Sequence, residues 1–317
     1  MRAIWIFNSI FVGLLLPAMD SFGIDDNQRR RIFELRNCQN CDLKGASFRG
    51  MNLESVNFSG AILTNTDFTG ANLEGASFHG AKLHKASLFK TNLIDTDFSD
   101  AKFIEADLRG ANLQGARLHD AYFQDTDARN VDFAFGQIVG TVFKNTNLMG
   151  ARFNEANFYK PTFLGANLSG VDLSHHHLSD SNFTNAIMIK TNLRHATLQD
   201  SDLSGANLSY GNLENGNLQN VRMVNGTLAH SNLSRAKLQG AFLSKVNMKF
   251  IDLRFANGSS SLIERVDLSG ANFQSSTFKH SNIQRSYLKD VNVRKALFCG
   301  ASINSKTLGP CFIAASL

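Results

Sequence analysis

From Leu43 to Ile313 an apolar residue recurs at every fifth position without a slip in register, opening Leu43, Phe48, Leu53, Phe58 and closing Phe298, Ile303, Leu308, Ile313. Only Ala128 and Gly258 lack a large apolar group at that position. No straight element can carry this spacing. Five residues of α-helix advance about 500°, roughly 140° net, so the Leu and Phe side chains would wander around the helix and define no face. On a straight strand side chains alternate with period two, so an odd spacing would send every second one out of the core. The chain must turn once per repeat, and each repeat is a short extended piece plus a corner.

The other positions of the unit fit that reading. With the large apolar residue as the centre, a small residue stands two places before it: Ala46, Ala61, Thr66, Ala71, Ala76, Ala81. Small side chains there imply a tight interior beside a corner. Glycine two places after the centre, as at Gly45, Gly50, Gly60 and Gly70, suits a turn with positive φ. Column composition gives the number of sides. The position before the centre, sampled every twenty residues from Asn52 to Asn292, is Asn or Asp in every case except Arg152, whereas the column Asp42, Ile62, Lys82, Lys102, Tyr122, Val142 is mixed. A square coil of four repeats predicts such a difference between sides, with Asn amides able to bond their copies above and below. Phe58, Phe78 and Phe98 fall in one interior column and Phe103, Phe123, Phe143, Phe163 and Phe183 in another, where rings one strand spacing apart can stack. The repeat makes about 13 coils, a rod on the order of 65 Å long at about 4.8 Å per coil. Each buried centre contributes roughly 1.5–3 kcal/mol before entropy is counted. Each coil touches mainly its neighbours, so stability is nearly a sum of coil and interface contributions. One unbroken register means one domain.

The repeats Ala71-Asn72-Leu73-Glu74-Gly75 and Ala111-Asn112-Leu113-Gln114-Gly115 resemble the A-(D/N)-L-x-x motif of the pentapeptide-repeat family, over about residues 41–303. The resemblance implies an all-β fold, a right-handed quadrilateral β-helix; its handedness comes from the family alone. The stretch Asn37-Cys38-Gln39-Asn40-Cys41-Asp42-Leu43 resembles the C-x-x-C-D-L start of exported members. All four cysteines lie at the ends of the rod, which in an exported chain favours disulfides. The expected pairs are Cys38 with Cys41 and Cys299 with Cys311, stapling the two ends. A redox C-x-x-C is the alternative, but it usually opens a helix in a βαβ setting, which is absent. Zinc is another, but the two pairs stand a rod length apart.

The ends depart from the repeat. Residues 1–23 read as an export signal: Arg2, then an apolar run from Ile4 to Leu16 broken only by Asn8, Ser9 and Gly13, then Ser21-Phe22-Gly23 as a small-x-small site. The run is short for a membrane span of about twenty residues, so a cleaved signal is expected rather than an anchor, and no stable membrane insertion. No cysteine stands at the cleavage region, which argues against a lipoprotein. Residues 24–37 read as a cap, with Asp25 or Asp26 starting a short helix from Gln28 to Arg36 whose apolar side is Ile32, Phe33 and Leu35. A helix lying over the first coil would cover its open edge. Arg29, Arg30 and Arg31 read as a solvated helix surface, with anionic-surface binding as the alternative. Residues 38–305 form the β-helix, and 306–317 a C-terminal cap, where Lys306 takes a small-residue position.

The sequence carries little catalytic chemistry. Catalytic groups usually sit on loops above a scaffold, and a register that never slips leaves no room for long loops. Around Asn257-Gly258-Ser259, where a centre is missing, one poorly packed side is expected. No catalytic triad, phosphate loop or dinucleotide motif is present, so no enzyme activity and no cofactor are expected. His175, His176 and His177 form the one histidine cluster, and His195 stands twenty after His175. The pair His175 and His195 is a weak metal candidate, and His176 occupies the small slot, a tight fit for imidazole. The more informative feature is an outer corner, Lys190, Tyr210, His230 and Phe250, with Ile187 and Ile189 on the same side and Phe255 on the next; glycine holds this corner at Gly50, Gly70, Gly110, Gly150 and Gly170. Exposed aromatic and apolar groups in a row form a candidate protein-contact surface, with rings merely covering a corner as the alternative.

Some members of the family mimic DNA with an acidic rod and protect topoisomerases. This chain has 32 Lys plus Arg against 27 Asp plus Glu, a net charge of +5 and a pI near 9.0, which cannot present that negative surface. Asp107 and Asp127 flank Arg109 and Arg129, the pattern of charge pairing between neighbouring coils. The expectation is an exported, periplasmic or extracellular, non-enzymatic scaffold or protein-binding rod, with no nucleic-acid partner and with a homodimer as one form it can take. The alternative is a secreted effector or inhibitor acting by DNA-mimic-type binding to an enzyme, which the basic charge disfavours.

Overall fold

The computed structural model describes residues 23–307. The expected export signal, apart from Gly23, and Cys311 lie outside those residues. The backbone winds as a four-sided coil that repeats every twenty residues. Parallel bridges join residues twenty apart from Asn37↔Asn57 to Thr277↔Leu297. Where a side extends, strands of two or three residues form and stack in register: Lys102–Ile104 on Tyr122–Gln124 on Val142–Lys144, and Arg222–Val224 through Phe242–Ser244, Leu262–Glu264 and Asn282–Gln284 to Ser302–Ile303. Lys306–Thr307 then folds back antiparallel on Ser302–Ile303, covering that edge.

Most corners are closed the same way. The N–H of the small residue donates to the centre carbonyl three places earlier, as in Ala71 to Phe68 at 2.9 Å, and the residue just before it takes left-handed backbone. Glycine does so at Gly70 (φ 66°), but so do Asn65 (57°), Lys90 (53°) and Phe135 (60°). An L-residue there costs about 1–2 kcal/mol. Ladder bonds hold it in place; the Lys90 N–H donates to the Arg109 carbonyl at 3.0 Å. Glycine is therefore preferred at corners without being required.

The centres fill the axis. Phe103, Phe123, Phe143, Phe163 and Phe183 stack at centroid spacings of 4.4, 5.1, 5.2 and 5.1 Å, and Phe58, Phe78 and Phe98 at 5.1 and 5.0 Å. The two columns meet edge to face, as Phe98 meets Phe103 at 64°. Where the small slot holds threonine, its hydroxyl donates to the centre carbonyl of the preceding coil: Thr66 to Leu43, Thr91 to Phe68, Thr126 to Phe103 and Thr191 to Leu168. On the outside the asparagine column forms its amide ladder, Asn92 donating to Asn72 at 2.8 Å and Asn292 to Asn272 at 3.0 Å.

Three expectations are corrected. Gly258 does not leave a poorly packed side: the Phe278 ring fills the space where its side chain would stand, and its N–H still donates to the Thr277 carbonyl at 2.8 Å. The cap helix spans Asp26–Phe33, shorter than expected, because Glu34 ends it and the chain must turn to start the first coil; Leu35 is exposed rather than on the apolar side. Asp25 caps it, with Gln28 closing the capping box. Asp107 and Asp127 bond Arg109 and Arg129 mainly within their own coil, at 2.7 Å each, since residues two apart astride a centre point the same way; the contact between coils, Arg109 to Asp127, is longer at 3.8 Å.

Several outer carboxylates are tied into the ladder. Burial pushes the Asp132 carboxyl up, but hydrogen bonds from Gln114 and the Ala134 N–H, together with Arg152, outweigh it and hold it below its ordinary value. Asp97 and Asp172 are likewise raised by burial and lowered more by the Ser99 and Ser174 hydrogen bonds. A carboxyl whose folded pKa is depressed contributes stability that is present above its unfolded value near 3.9 and lost as pH falls through the folded value. The melting temperature is therefore expected to hold from pH 7 to about 5 and to fall below about pH 4, with a shallower acid limb in Asp132→Asn. A melting temperature that does not fall between pH 5 and about 2 would contradict this.

Candidate contact surface

Left-handed corners point their side chains outward, and stacking coils sets equivalent corners directly above one another. Lys190, Tyr210, His230 and Phe250 all have φ between 55° and 61°. The Tyr210 and His230 rings stack at 4.9 Å and 4°, and His230 and Phe250 at 5.0 Å and 17°. Above them a side chain at Gly270 would collide with the Phe250 ring, so the ring lies over that corner. Tyr210 and Phe250 are each 57 % exposed. Because ring faces cover one another, the column shows solvent its edges and forms a ridge. Ile187 on the adjoining side is exposed, Ile189 beside it half-buried. Phe255, one corner on, is exposed under the Arg235 guanidinium at 5.4 Å.

Besides Leu35 in the cap segment, four more exposed apolar groups stand outside the expected strip among the described residues: Phe135, Met149, Tyr159 and Tyr287. The register announces all four. Phe135 occupies a corner, Met149 and Tyr159 follow a centre, and Tyr287 precedes one. Met149 and Tyr287 share the side of Ile187 and Ile189 and extend it along the rod.

The histidines behave differently. His175 and His195 stack at 4.8 Å and 20°. Ring nitrogens in parallel planes aim their lone pairs along parallel directions, so they do not converge on an ion. Among the described residues no group of three or more His, Cys, Asp or Glu could hold a metal. Cys38 and Cys41 are joined by a disulfide with Cα atoms 5.3 Å apart. Cys299 is also disulfide-bonded; the expected partner, Cys311, lies outside the described residues. The acidic side chains Asp67, Asp107, Asp127, Asp132, Asp252 and Asp267 each have a basic partner within 3.2 Å, so these carboxylates present paired rather than net negative charge.

Four-sided coils, stacked apolar centres and left-handed corners define a β-solenoid of five-residue repeats. The family models for pentapeptide repeats match residues 76–153 and 176–253, described as a pentapeptide repeat region, and 37–70, 137–174 and 263–304, described as pentapeptide repeats. The chain belongs to the pentapeptide-repeat family. Among solved structures it is similar to QnrB1, a plasmid-mediated fluoroquinolone resistance protein, at 22 % identity over 62 % of this chain and 87 % of that one, with a TM-score of 0.48. It is also similar to HetL, involved in heterocyst differentiation regulation in the cyanobacterium Nostoc, at 22 % identity over 87 % of this chain and 97 % of that one, TM-score 0.24. A pentapeptide repeat protein from the Arabidopsis thaliana thylakoid lumen is 29 % identical over 36 % of this chain and 66 % of that one, TM-score 0.28. Comparison with curated proteins gives no match.

Proposed function

We propose that the protein is an exported, non-enzymatic rod that binds a protein partner along the corner of Tyr210, His230 and Phe250. The observation that carries this reading is the stacked, half-exposed aromatic ridge in place of the glycine that holds this corner elsewhere. Burying these rings, with Ile187 beside them, would make an apolar centre of the kind that anchors protein contacts. Export is supported by the apolar run Ile4 to Leu16 and by the Cys38–Cys41 disulfide, which suits an oxidising compartment. No helix among the described residues is long and apolar enough to cross a membrane.

The test is affinity capture from native envelope and medium fractions, comparing the natural sequence with the double variant Tyr210→Ser, Phe250→Ser. A partner is expected to be retained by the first and lost by the second, with circular dichroism unchanged and stability lowered by no more than about 1 kcal/mol for exposed side chains. Equal retention by a folded double variant would remove the strip from the binding surface. Unfolding of the variant would place the rings in the structural core.

A further inference from the structure

One junction in the coil stack is open. Among the described residues, parallel bridges run unbroken on all four sides except at two adjacent places, between Arg152 and Asp172 and between Asn157 and His177. The N–H groups of Phe153, Glu155 and Phe158 lack the carbonyl partners that Phe133, Phe135 and other equivalents have in the coils around them. The other two sides stay paired at the same level, Val142↔Thr162↔Asn182 and Asn147↔Asn167↔Ile187. The coils therefore splay about the corner of Asn145 and open widest at the diagonal corner, Glu155 below and His175 above. A cleft of about 370 Å³ lies there, between Phe158 and the histidines. Ala156 and Phe158 are 8 % and 5 % exposed, against 0 % for Ala116 and Phe163.

The cause is visible. His176 stands in the small slot and bonds the Phe153 carbonyl at 2.8 Å, the bond a slot threonine makes to the preceding coil. A carbonyl only accepts, so Nε2 carries the proton. The imidazole reaches a ring farther than a hydroxyl, so satisfying this bond holds the coils apart. Its Nδ1 is left buried without a protein partner. At the end of the opening Pro161 takes another slot, where it lacks the N–H that closes most corners, and the bond from the Asn182 N–H to its carbonyl is 3.3 Å against 2.8 Å for Ile187 to Ala166. The ion pair of Lys160 with Asp180, 3.6 Å, spans the same end.

We infer that this junction is a hinge built into the rod, wedged open by His176 and pivoting on the paired sides, so that the C-terminal half bearing the aromatic ridge changes its angle to the N-terminal half. Parallel ladders otherwise lock neighbouring coils at a fixed spacing, and releasing two of four sides leaves a bending mode that the fully paired junctions among the described residues lack. The freed backbone groups face the gap, whose opening gives water access to them.

Amide hydrogen exchange on the full chain tests this. Phe153, Glu155 and Phe158 are expected to exchange on the order of 100-fold faster than Phe133, Phe135 and Ile138 one coil earlier. In His176→Thr, which keeps the bond to the Phe153 carbonyl in the form other coils use, the difference is expected to shrink to about tenfold or less; His176→Ala is expected to do the same without the bond. The inference is overturned if the three amides are as protected as their equivalents in the natural sequence, or if the excess persists in folded His176→Thr. Failure of both variants to fold would also overturn it, since removing a wedge should stabilise the rod.

Discussion

Phe123→Ala is expected to lower the unfolding free energy by about 3–5 kcal/mol. Phe123 is fully buried, stacked between Phe103 at 4.4 Å and Phe143 at 5.1 Å and met at 89° by Phe133. Two costs add: the lost transfer energy of the ring, and the cavity left behind. The second should be large here. Helical proteins soften such losses by letting elements slide together, but the Lys102–Ile104, Tyr122–Gln124 and Val142–Lys144 strands are bonded to one another. Their spacing cannot shrink without breaking the ladder. Denaturant unfolding measures the loss, with Phe255→Ala as the comparison. That ring is 53 % exposed, and its removal should cost no more than about 1 kcal/mol, including its contact with Arg235. A loss below about 1 kcal/mol at Phe123 would show that the columns are not close-packed.

Much of this was legible in the residues, because the fold repeats one local rule. The five-residue spacing demands a corner per repeat, and the twenty-residue spacing of Asn72 and Asn92 or of Phe123 and Phe143 fixes four sides. The outer corner of Tyr210, His230 and Phe250 follows from the same arithmetic. What escaped depends on compensation from another coil or on the meeting of two elements. Gly258 looks like a defect when read along the chain, and only the Phe278 ring twenty residues later explains it. His176 is recognisable as too large for its slot, but the sequence does not say whether the coil will exclude the ring or yield to it. The answer lies in the strength of the bond to Phe153 against several ladder bonds. The N-cap reads equally as Asp25 or Asp26 by residue type, and the spacing Asp25-x-x-Gln28, a capping box, is the signal that distinguishes them. The partner is not written in the rod, since a repeat specifies a shape and only its departures specify a contact.

Ile32→Asp should have an effect of similar size but confined to one end. Ile32 is the residue the cap helix buries completely, and the helix is tied to the first coil by Gln28 donating to the Asp42 carbonyl at 2.7 Å and Arg31 to the Gln39 carbonyl at 2.7 Å. An aspartate there loses the apolar contact and places a carboxylate in a fully buried apolar position, a loss of about 3–5 kcal/mol in cap docking. In a compact domain such a loss would lower the stability of every residue alike. In a stack where each coil touches only its neighbours it should instead release the cap and fray the coils beneath it, while coils farther along keep their own interfaces. Amide exchange near Leu43 and Phe48 is expected to accelerate by about 100-fold or more, while that near Phe123 and Leu208 changes by less than about threefold. The Cys38–Cys41 disulfide lies in this segment but closes too short a loop to hold the coil against its neighbour. Leu35→Asp, at a position already 56 % exposed, should do neither. Uniform acceleration along the rod in Ile32→Asp would mean that the coils unfold as one unit, and the near-additive picture of their stability would have to be abandoned.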